Sequence, residues 1–274
     1  GALLVRTAIK ASPPVAGVGH PAATEGKPNA LGETELSTGE AEAALAVAPV
    51  TVEGWYETPA QHHNPMELFQ CTCAWDGDDL TIWESTQNVR GVQHGVAAQL
   101  GIRSRHVRVI SPVIGGAFGS RGELGQHTAL IAFAARRIGR PVKLVATRSQ
   151  GFELRTFRAE TRHHVRLGCA GDGTLLAMTH DAWELTSRTE PFGLAGSDQT
   201  ARLYACPNIR TSVKNIVADR QTPGFMRAPP EVPYLFALES AIDELAHVAG
   251  VDPLDLRRRN DTMTDPIKEL PYTS

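Results

Sequence analysis

Gly115-Gly116-Ala117-Phe118-Gly119 is the stretch whose composition most invites a ligand. A loop poor in β-carbons lets another molecule approach the backbone closely. A helix starting soon after it would add unpaired N–H groups and the positive end of a dipole, which together suit a phosphate. A tight turn that needs glycine for geometry alone would look the same. The common nucleotide motifs fail here. A dinucleotide fingerprint begun at Gly115 needs glycines at 117 and 120, where Ala117 and Ser120 stand. About 20 residues on come Arg136 and Arg137 rather than a ribose-binding acid. The Gly-Lys-Ser/Thr of a P-loop is also missing.

Other stretches also gather reactive residue types. Gln61-His62-His63-Asn64-Pro65-Met66-Glu67 collects polar side chains just ahead of a strand. Adjacent histidines on an extended chain point to opposite faces, which argues against a shared metal ion. Ser85-Thr86-Gln87-Asn88 falls where a strand meets a helix. Asn88 suits a helix N-cap, and that leaves Gln87 available for another role. Met226-Arg227-Ala228-Pro229-Pro230-Glu231 precedes the longest helical pattern. Its Arg227 could pair with an anion or a carbonyl, although a solvated arginine is the commoner case. Cys71, Cys73, Cys169 and Cys206 are too scattered for a disulfide framework. Cys71 and Cys73 share one strand face at a spacing that suits neither zinc nor an iron–sulfur loop, so all the cysteines read as packing thiols.

The elements that would position these groups follow from periodicity and turn residues. Val50–Thr58 reads as a strand, and Met66–Trp75 and Leu80–Trp83 read as hairpin arms around Asp76-Gly77-Asp78. A helix then carries Val89, Val92, Val96 and Leu100 on one face, with Gly101 as its stop. His106–Ser111 reads as a strand leading into the glycine loop. A second helix carries Leu124, Ile131, Ala135 and Ile138 and closes at Gly139 and Pro141. Val142–Thr147 is a further strand, residues 160–187 a hairpin turning at Ala170-Gly171-Asp172-Gly173, and Thr211–Ala218 another strand. Leu235, Leu238, Ile242, Leu245 and Ala249 predict a helix over Pro230–Val248. Asp252-Pro253 predicts the start of a short one. Strands and helices mix without regular βαβ alternation, so the predicted class is α+β, with mixed sheets and packed helices.

Residues 1–48 are punctuated by Pro13-Pro14, Gly17, Gly19, Pro21, Gly26 and Pro28, and read as loop and linker with a short helix over Gly39–Ala46. The organised domain is expected over residues 49–274. A start in such material, with no initial Met, reads as a cut from something larger. Hydrophobic residues at 42% and charged ones at 21% are ordinary for a globular domain of 274 residues with a real core. A formal net charge of -3 gives no electrostatic reason to expect nucleic acid or an anionic membrane as partner. No apolar run approaches the roughly 20 residues of a membrane span. Gly1–Arg6 lacks the pattern of a signal peptide.

Taken in order, Gln61–Glu67, Ser85–Gln87, the Gly115–Gly119 loop and Arg227-Ala228-Pro229 resemble the molybdenum-binding subunit of the xanthine dehydrogenase/aldehyde oxidase family. The runs Ala237–Ala246 and Gly250–Asn260 are also similar to that family's pattern. The resemblance extends over about residues 40–274 and is nearest to bacterial aldehyde oxidoreductases with separate iron–sulfur, flavin and molybdenum subunits. It implies the first half of an aldehyde oxidase-type molybdopterin-binding unit, with residues 1–48 a linker or the tail of a missing N-terminal domain. The implied cofactor is molybdopterin with molybdenum, in its cytosine dinucleotide form, with [2Fe-2S] clusters and FAD on partner subunits. The resemblance further implies that Gln87 approaches the metal's apical oxo ligand. Backbone groups of Gly115, Gly116, Phe118 and Gly119 would contact the pterin and the metal's oxygen ligands. Arg227 and Ala228 would border the metal and substrate pocket. The implied activity is oxidation of aldehydes, or of N-heterocycles, with water as oxygen source. The implied partners are an iron–sulfur subunit, an FAD subunit, and a chain or segment carrying a second molybdopterin-binding half with its general-base glutamate.

Departures from the pattern qualify this. Ser120-Arg121 stands where the family loop usually reads Gly-Lys, and Pro230 replaces the last residue of Arg-Ala-Pro-Gly. Purine-specific members carry a glutamate directly after that lysine. Gly122 stands there, with Glu123 one further on, which disfavours a purine and favours an aldehyde. The family's general base lies C-terminal to everything in this sequence, so no carboxylate here is assigned that role. The alternative is a non-catalytic binding or scaffold subunit that keeps the fold without the metal. Ser120 and Pro230 favour the alternative; Gln87, Phe118 and Arg227 favour an enzyme component. The expected compartment is the cytoplasm, or the periplasm through a partner's signal.

Overall fold

The computed structural model describes residue 8, residues 10–26 and residues 32–272. The readings made on Gly1–Arg6, Pro28 and the last two residues lie outside them. The strands form two sheets. The larger runs β1 (Thr24–Gly26), β10 (Ile209–Ala218), β9 (Leu175–Ser187), β8 (Thr161–Cys169) and β3 (Val50–Thr58). A further strand, β2 (Glu35–Thr38), pairs with the first residues of β10. The smaller sheet runs β6 (Val107–Ile110), β5 (Asp79–Glu84), β4 (Gln70–Asp76) and β7 (Val142–Val145). β9 pairs with β10 and β5 with β6 in parallel, and the other ladders are antiparallel. Both sheets are therefore mixed, and the α+β class holds.

Helix α6 (Glu231–Ala249) covers the larger sheet. Its stripe of Ala237, Leu238, Ala241, Ile242 and Leu245 is fully buried against Val165, Leu167, Met178 and Ile209. Helices α2 (Val89–Leu100) and α3 (Gln126–Ile138) cover the smaller sheet, with Val92, Val96, Ala132 and Ala135 on Cys73, Leu80, Ile82 and Val107. Removal of such faces from water, at about 25 cal/mol per Å² of apolar surface, drives each layer together. All four cysteines are free and buried in this packing.

Local chemistry sets the element ends. Asn88 accepts the Gly91 N–H at 2.8 Å and caps α2. Gly101, Gly139 and Gly250 stop α2, α3 and α6 in the left-handed region, which costs a glycine no strain. Asp252 caps α7 (Pro253–Arg259), with Pro253 in its first turn. In the β4–β5 hairpin Asp76 faces Asp79, leaving Gly77-Asp78 as the two-residue turn.

Several expectations are corrected. The strand predicted from Met66 begins only at Gln70, because Glu67 is bonded to the glycine loop instead of to a ladder. The one predicted over Val142–Thr147 ends at Val145, because Thr147 and Gln150 form a reciprocal capping box that opens α4 (Arg148–Leu154). Turns and bends over 118–123 separate the glycine loop from α3, so Leu124 packs from a loop rather than from the helix. The stretch read as loop and linker contributes β1 and β2, while the short helix expected over Gly39–Ala46 is α1 (Ala41–Val47). Two short segments without periodicity pair there because the edge of β10 offers unpaired backbone groups.

Asn260 ties the end of this fold together. Its Oδ1 accepts the Leu175 N–H at 2.8 Å, and its Nδ2 donates to the carbonyls of Gly173 and Leu256 at 2.9 and 2.8 Å. Asn260→Ala would leave the Leu175 N–H and the Gly173 carbonyl unpaired, at about 1 kcal/mol each, while the Leu256 carbonyl keeps the backbone N–H of residue 260. Urea unfolding should show a stability loss of about 2 kcal/mol. A loss below about 1 kcal/mol would show that the groups find other partners.

Candidate functional site

Glu67 fastens the first polar stretch to the glycine loop. Its Oε2 accepts the Gly115 N–H at 2.7 Å, and its own N–H donates to the Gly115 carbonyl at 3.0 Å. Ser85 Oγ donates to the other carboxylate oxygen at 2.5 Å. Burial opposes ionisation of Glu67, but the bonds from Ser85 and Gly115 and the Arg121 charge outweigh it and hold the carboxyl below its ordinary value.

Within the loop, a β-carbon at Gly119 would stand 2.3 Å from the Phe225 carbonyl oxygen, so the strand of chain leading to Arg227 can pass only over a glycine. Phe118 itself is left-handed at φ 56, a conformation that costs a non-glycine residue roughly 1–2 kcal/mol. Flanking bonds hold it there. The Phe118 carbonyl accepts the Arg227 N–H at 2.9 Å, and the Gly119 N–H donates to Gln87 Oε1 at 3.2 Å. Gln87, Phe118, Gly119 and Arg227, far apart in the chain, are thus joined directly.

Arg158 builds the third side. Its buried guanidinium donates to the carbonyls of Arg227 at 2.6 Å, Ala228 at 2.9 Å and Pro229 at 2.8 Å, while its Nε donates to Gln61 Oε1 at 3.0 Å. This holds Ala228 at φ 52 and turns the Arg227 side chain to the surface. The side chains of Gln87, Phe118 and Arg227 are all exposed. Among the described residues, the N–H groups of Gly116, Ala117 and Phe118 have no acceptor, and neither has the Arg227 guanidinium. Successive free N–H groups around left-handed residues suit an anionic or carbonyl oxygen. The donors belong to the loop itself. The expected contribution from a helix start is corrected, because α3 begins only at Gln126.

The histidines part company. His62 stacks on Phe157, while Nε2 of buried His63 lies 2.7 Å from the Phe225 carbonyl oxygen. No group of three or more His, Cys, Asp or Glu among the described residues is placed to hold a metal ion. Beside Ser120 opens a cleft of about 830 Å³ lined by Glu123, Glu153, Arg155 and Glu190. Burial, and then the Glu190 charge, push the Glu123 carboxyl up. The roles of Arg121 and Arg158 were missed in the sequence. Only the Arg-for-Lys change at 121 drew notice, and Arg158 gave no signal at all.

With this geometry, the comparisons define the class. Residues 23–261 match the molybdopterin cofactor-binding domain, and the chain belongs to that family. It is similar to the aldehyde oxidoreductase molybdenum-binding subunit PaoC of Escherichia coli K12, 38% identical over 234 residues, which are 85% of this chain and 32% of that protein. The putative xanthine dehydrogenase molybdenum-binding subunit XdhA of the same organism is 31% identical over 242 residues, again 85% of this chain and 32% of the relative. The solved aldehyde oxidoreductase from Desulfovibrio gigas superposes with a TM-score of 0.78 at 27% identity, covering 93% of this chain and 28% of that one. The chain thus spans about a third of the length of the curated relatives it matches. Among the described residues no helix is long and apolar enough to cross a membrane.

Near the site, His127 is buried, and among the described residues neither ring nitrogen has a hydrogen-bond partner. Burial, and then the charges of Arg155 and Arg121, lower its pKa from 6.5 to about 4. Below pH 6.5 the unfolded chain takes up a proton that the folded chain refuses until about pH 4. The stability this contributes is complete above pH 6.5 and is lost as pH falls through that window. His127→Gln should flatten the acid limb of a stability–pH profile, by on the order of 3 kcal/mol between pH 7 and pH 4. Parallel profiles for both proteins would mean that the folded imidazole titrates normally.

Proposed function

We propose that this chain forms one cofactor-facing half of a molybdenum hydroxylase that oxidises aldehydes, or N-heterocycles, with water as oxygen source. One observation supports it above the others: Gln87, the loop at 116–119 and Arg227 are hydrogen-bonded to one another, and among the described residues the N–H groups of Gly116, Ala117 and Phe118 and the Arg227 guanidinium have no acceptor. These residues fit the group. A metal carried by a pterin brings its own sulfur and oxygen ligands, so the protein has to supply donors rather than thiolate or imidazole.

When bound, the molybdenum cofactor would supply the two-electron oxidation. This chain's residues would bind and orient. Oε1 of Gln87 is occupied by the Gly119 N–H, which leaves its amide NH₂ free to donate to an oxygen of the metal. The loop N–H groups, with Gly115 and Gly119 shaping the backbone around them, would hold the pterin and its oxygen ligands. The half-exposed Phe118 ring would exclude water beside the substrate, and Arg227, with Ala228 turning it outward, would stabilise negative charge on a substrate oxygen. The general base of this reading would be a glutamate on a second molybdopterin-binding half. The cofactor is read as the cytosine dinucleotide form, with [2Fe-2S] and FAD subunits as electron partners and the cytoplasm as compartment. The glycine at 122, where a purine-specific relative carries glutamate, favours an aldehyde.

The two departures that favour a metal-free scaffold are absorbed locally. Ser120 Oγ turns inward onto the Ala117 carbonyl at 2.7 Å, and Pro230 takes the N-cap position of α6. Molybdenum and pterin should therefore co-purify with the complete complex, and a full complex without molybdenum would overturn the reading. In that complex, Gln87→Ala should lower kcat/KM for an aldehyde about a hundredfold with metal content kept. A change of less than about threefold would remove Gln87 from the site.

A further inference from the structure

Arg121 heads the fully buried side chains of the described residues by volume. A guanidinium withdrawn from water is costly unless its N–H groups are paired. Here they are. Nε donates to the Gly116 carbonyl at 3.0 Å, and Nη1 to the Ser85 carbonyl at 3.3 Å. Nη2 donates to the carbonyls of Glu67 at 3.0 Å and Leu68 at 3.3 Å, and lies 3.3 Å from Glu67 Oε2. Its plane faces the Phe69 ring, 4.7 Å from the centroid. The backbone takes part as well: the Arg121 carbonyl accepts the Gln87 N–H at 2.9 Å and Thr86 Oγ1 at 3.0 Å.

Gly116 lies two residues before Phe118, and Ser85 two before Gln87. We propose that Arg121 is a positioning residue that sets Gln87 and Phe118 side by side by gripping the chain just ahead of each. Its guanidinium hydrogen-bonds to backbone carbonyls and not to the side chain of Gln87, so it acts through the backbone. A lysine presents a single nitrogen on a flexible stem and cannot span the Gly116, Ser85 and Leu68 carbonyls together. The fork is what matters, and the charge beside Glu67 supplies only part of the effect.

The kinetic consequence rests on the proposed function; the structural consequence does not. The test uses the assembled complex carrying Arg121→Lys or Arg121→Met. Hydrogen exchange is followed in peptides spanning 85–88 and 115–119, with 235–248 in α6 as reference. Arg121→Lys should speed exchange about tenfold in both loops and leave α6 unchanged. With an aldehyde and a dye acceptor, kcat should fall about tenfold for the lysine variant and about a hundredfold for the methionine variant, with KM within about threefold. Partial rescue by lysine over methionine separates fork from charge. Wild-type exchange in both loops of both variants would overturn the proposal. So would equal acceleration in α6, which would mark a merely structural residue. If Arg121→Met fails to assemble, the lysine variant decides on both readouts. If the wild-type complex holds no molybdenum, the function proposed above fails while the exchange result still judges Arg121.

Discussion

Irregular backbone that leaves the sheets must still find partners for its carbonyl groups, and around this site the partners are arginines. A loop cannot pair its own C=O groups as a ladder does, and a buried unpaired carbonyl is expensive. Arg121 serves Gly116, Ser85, Glu67 and Leu68. Arg158 serves Arg227, Ala228 and Pro229, and Arg148 serves Pro65 and Met66. A planar fork with five donors is the side chain best suited to the task, because one residue satisfies several acceptors in fixed directions. The shape of the surface follows from where these forks sit.

The division of labour is consistent. Gln87 lies three residues past the end of β5, the glycine loop begins five residues past β6, and Arg227 lies four residues before α6. Each exposed group hangs on a short tether from an element anchored in a core by buried residues, Ile82 in β5, Val107 in β6 and Leu238 in α6, so loop chemistry borrows the rigidity of sheet and helix. The left-handed Phe118 and Ala228 are local strain that the cross-loop bonds and Arg158 hold in place.

Much of the frame was legible in the sequence because its signals are local. Gly101, Gly139 and Asp252 mark helix ends, Asp76-Gly77-Asp78 marks a hairpin, and the α6 stripe recurs at helical spacing. The grouping of Gln87, Phe118 and Arg227 became visible only through resemblance, since no periodicity links residues so far apart. What they hold is the proposal made above. The forks were illegible for a different reason. An arginine in a sequence reads as solvated surface, and its burial depends on carbonyls from distant loops. The pairing of β1 and β2 escaped for the same cause: a three- or four-residue strand carries no pattern of its own and is defined by its partner.

That partner has a temporal meaning. Thr24 pairs with Val217, 193 positions along the chain (217 − 24), and Glu35 with Ser212. During synthesis β1 and β2 emerge before β10 and have no ladder until β10 has been made. The intervening smaller sheet, whose pairings join residues 70–84 with 107–110 and 142–145, is available to form meanwhile. Closing so long a loop adds little to its entropic cost, but it places the step late. The two short strands β1 and β2 therefore wait on the strand that defines them, although they precede it in the chain.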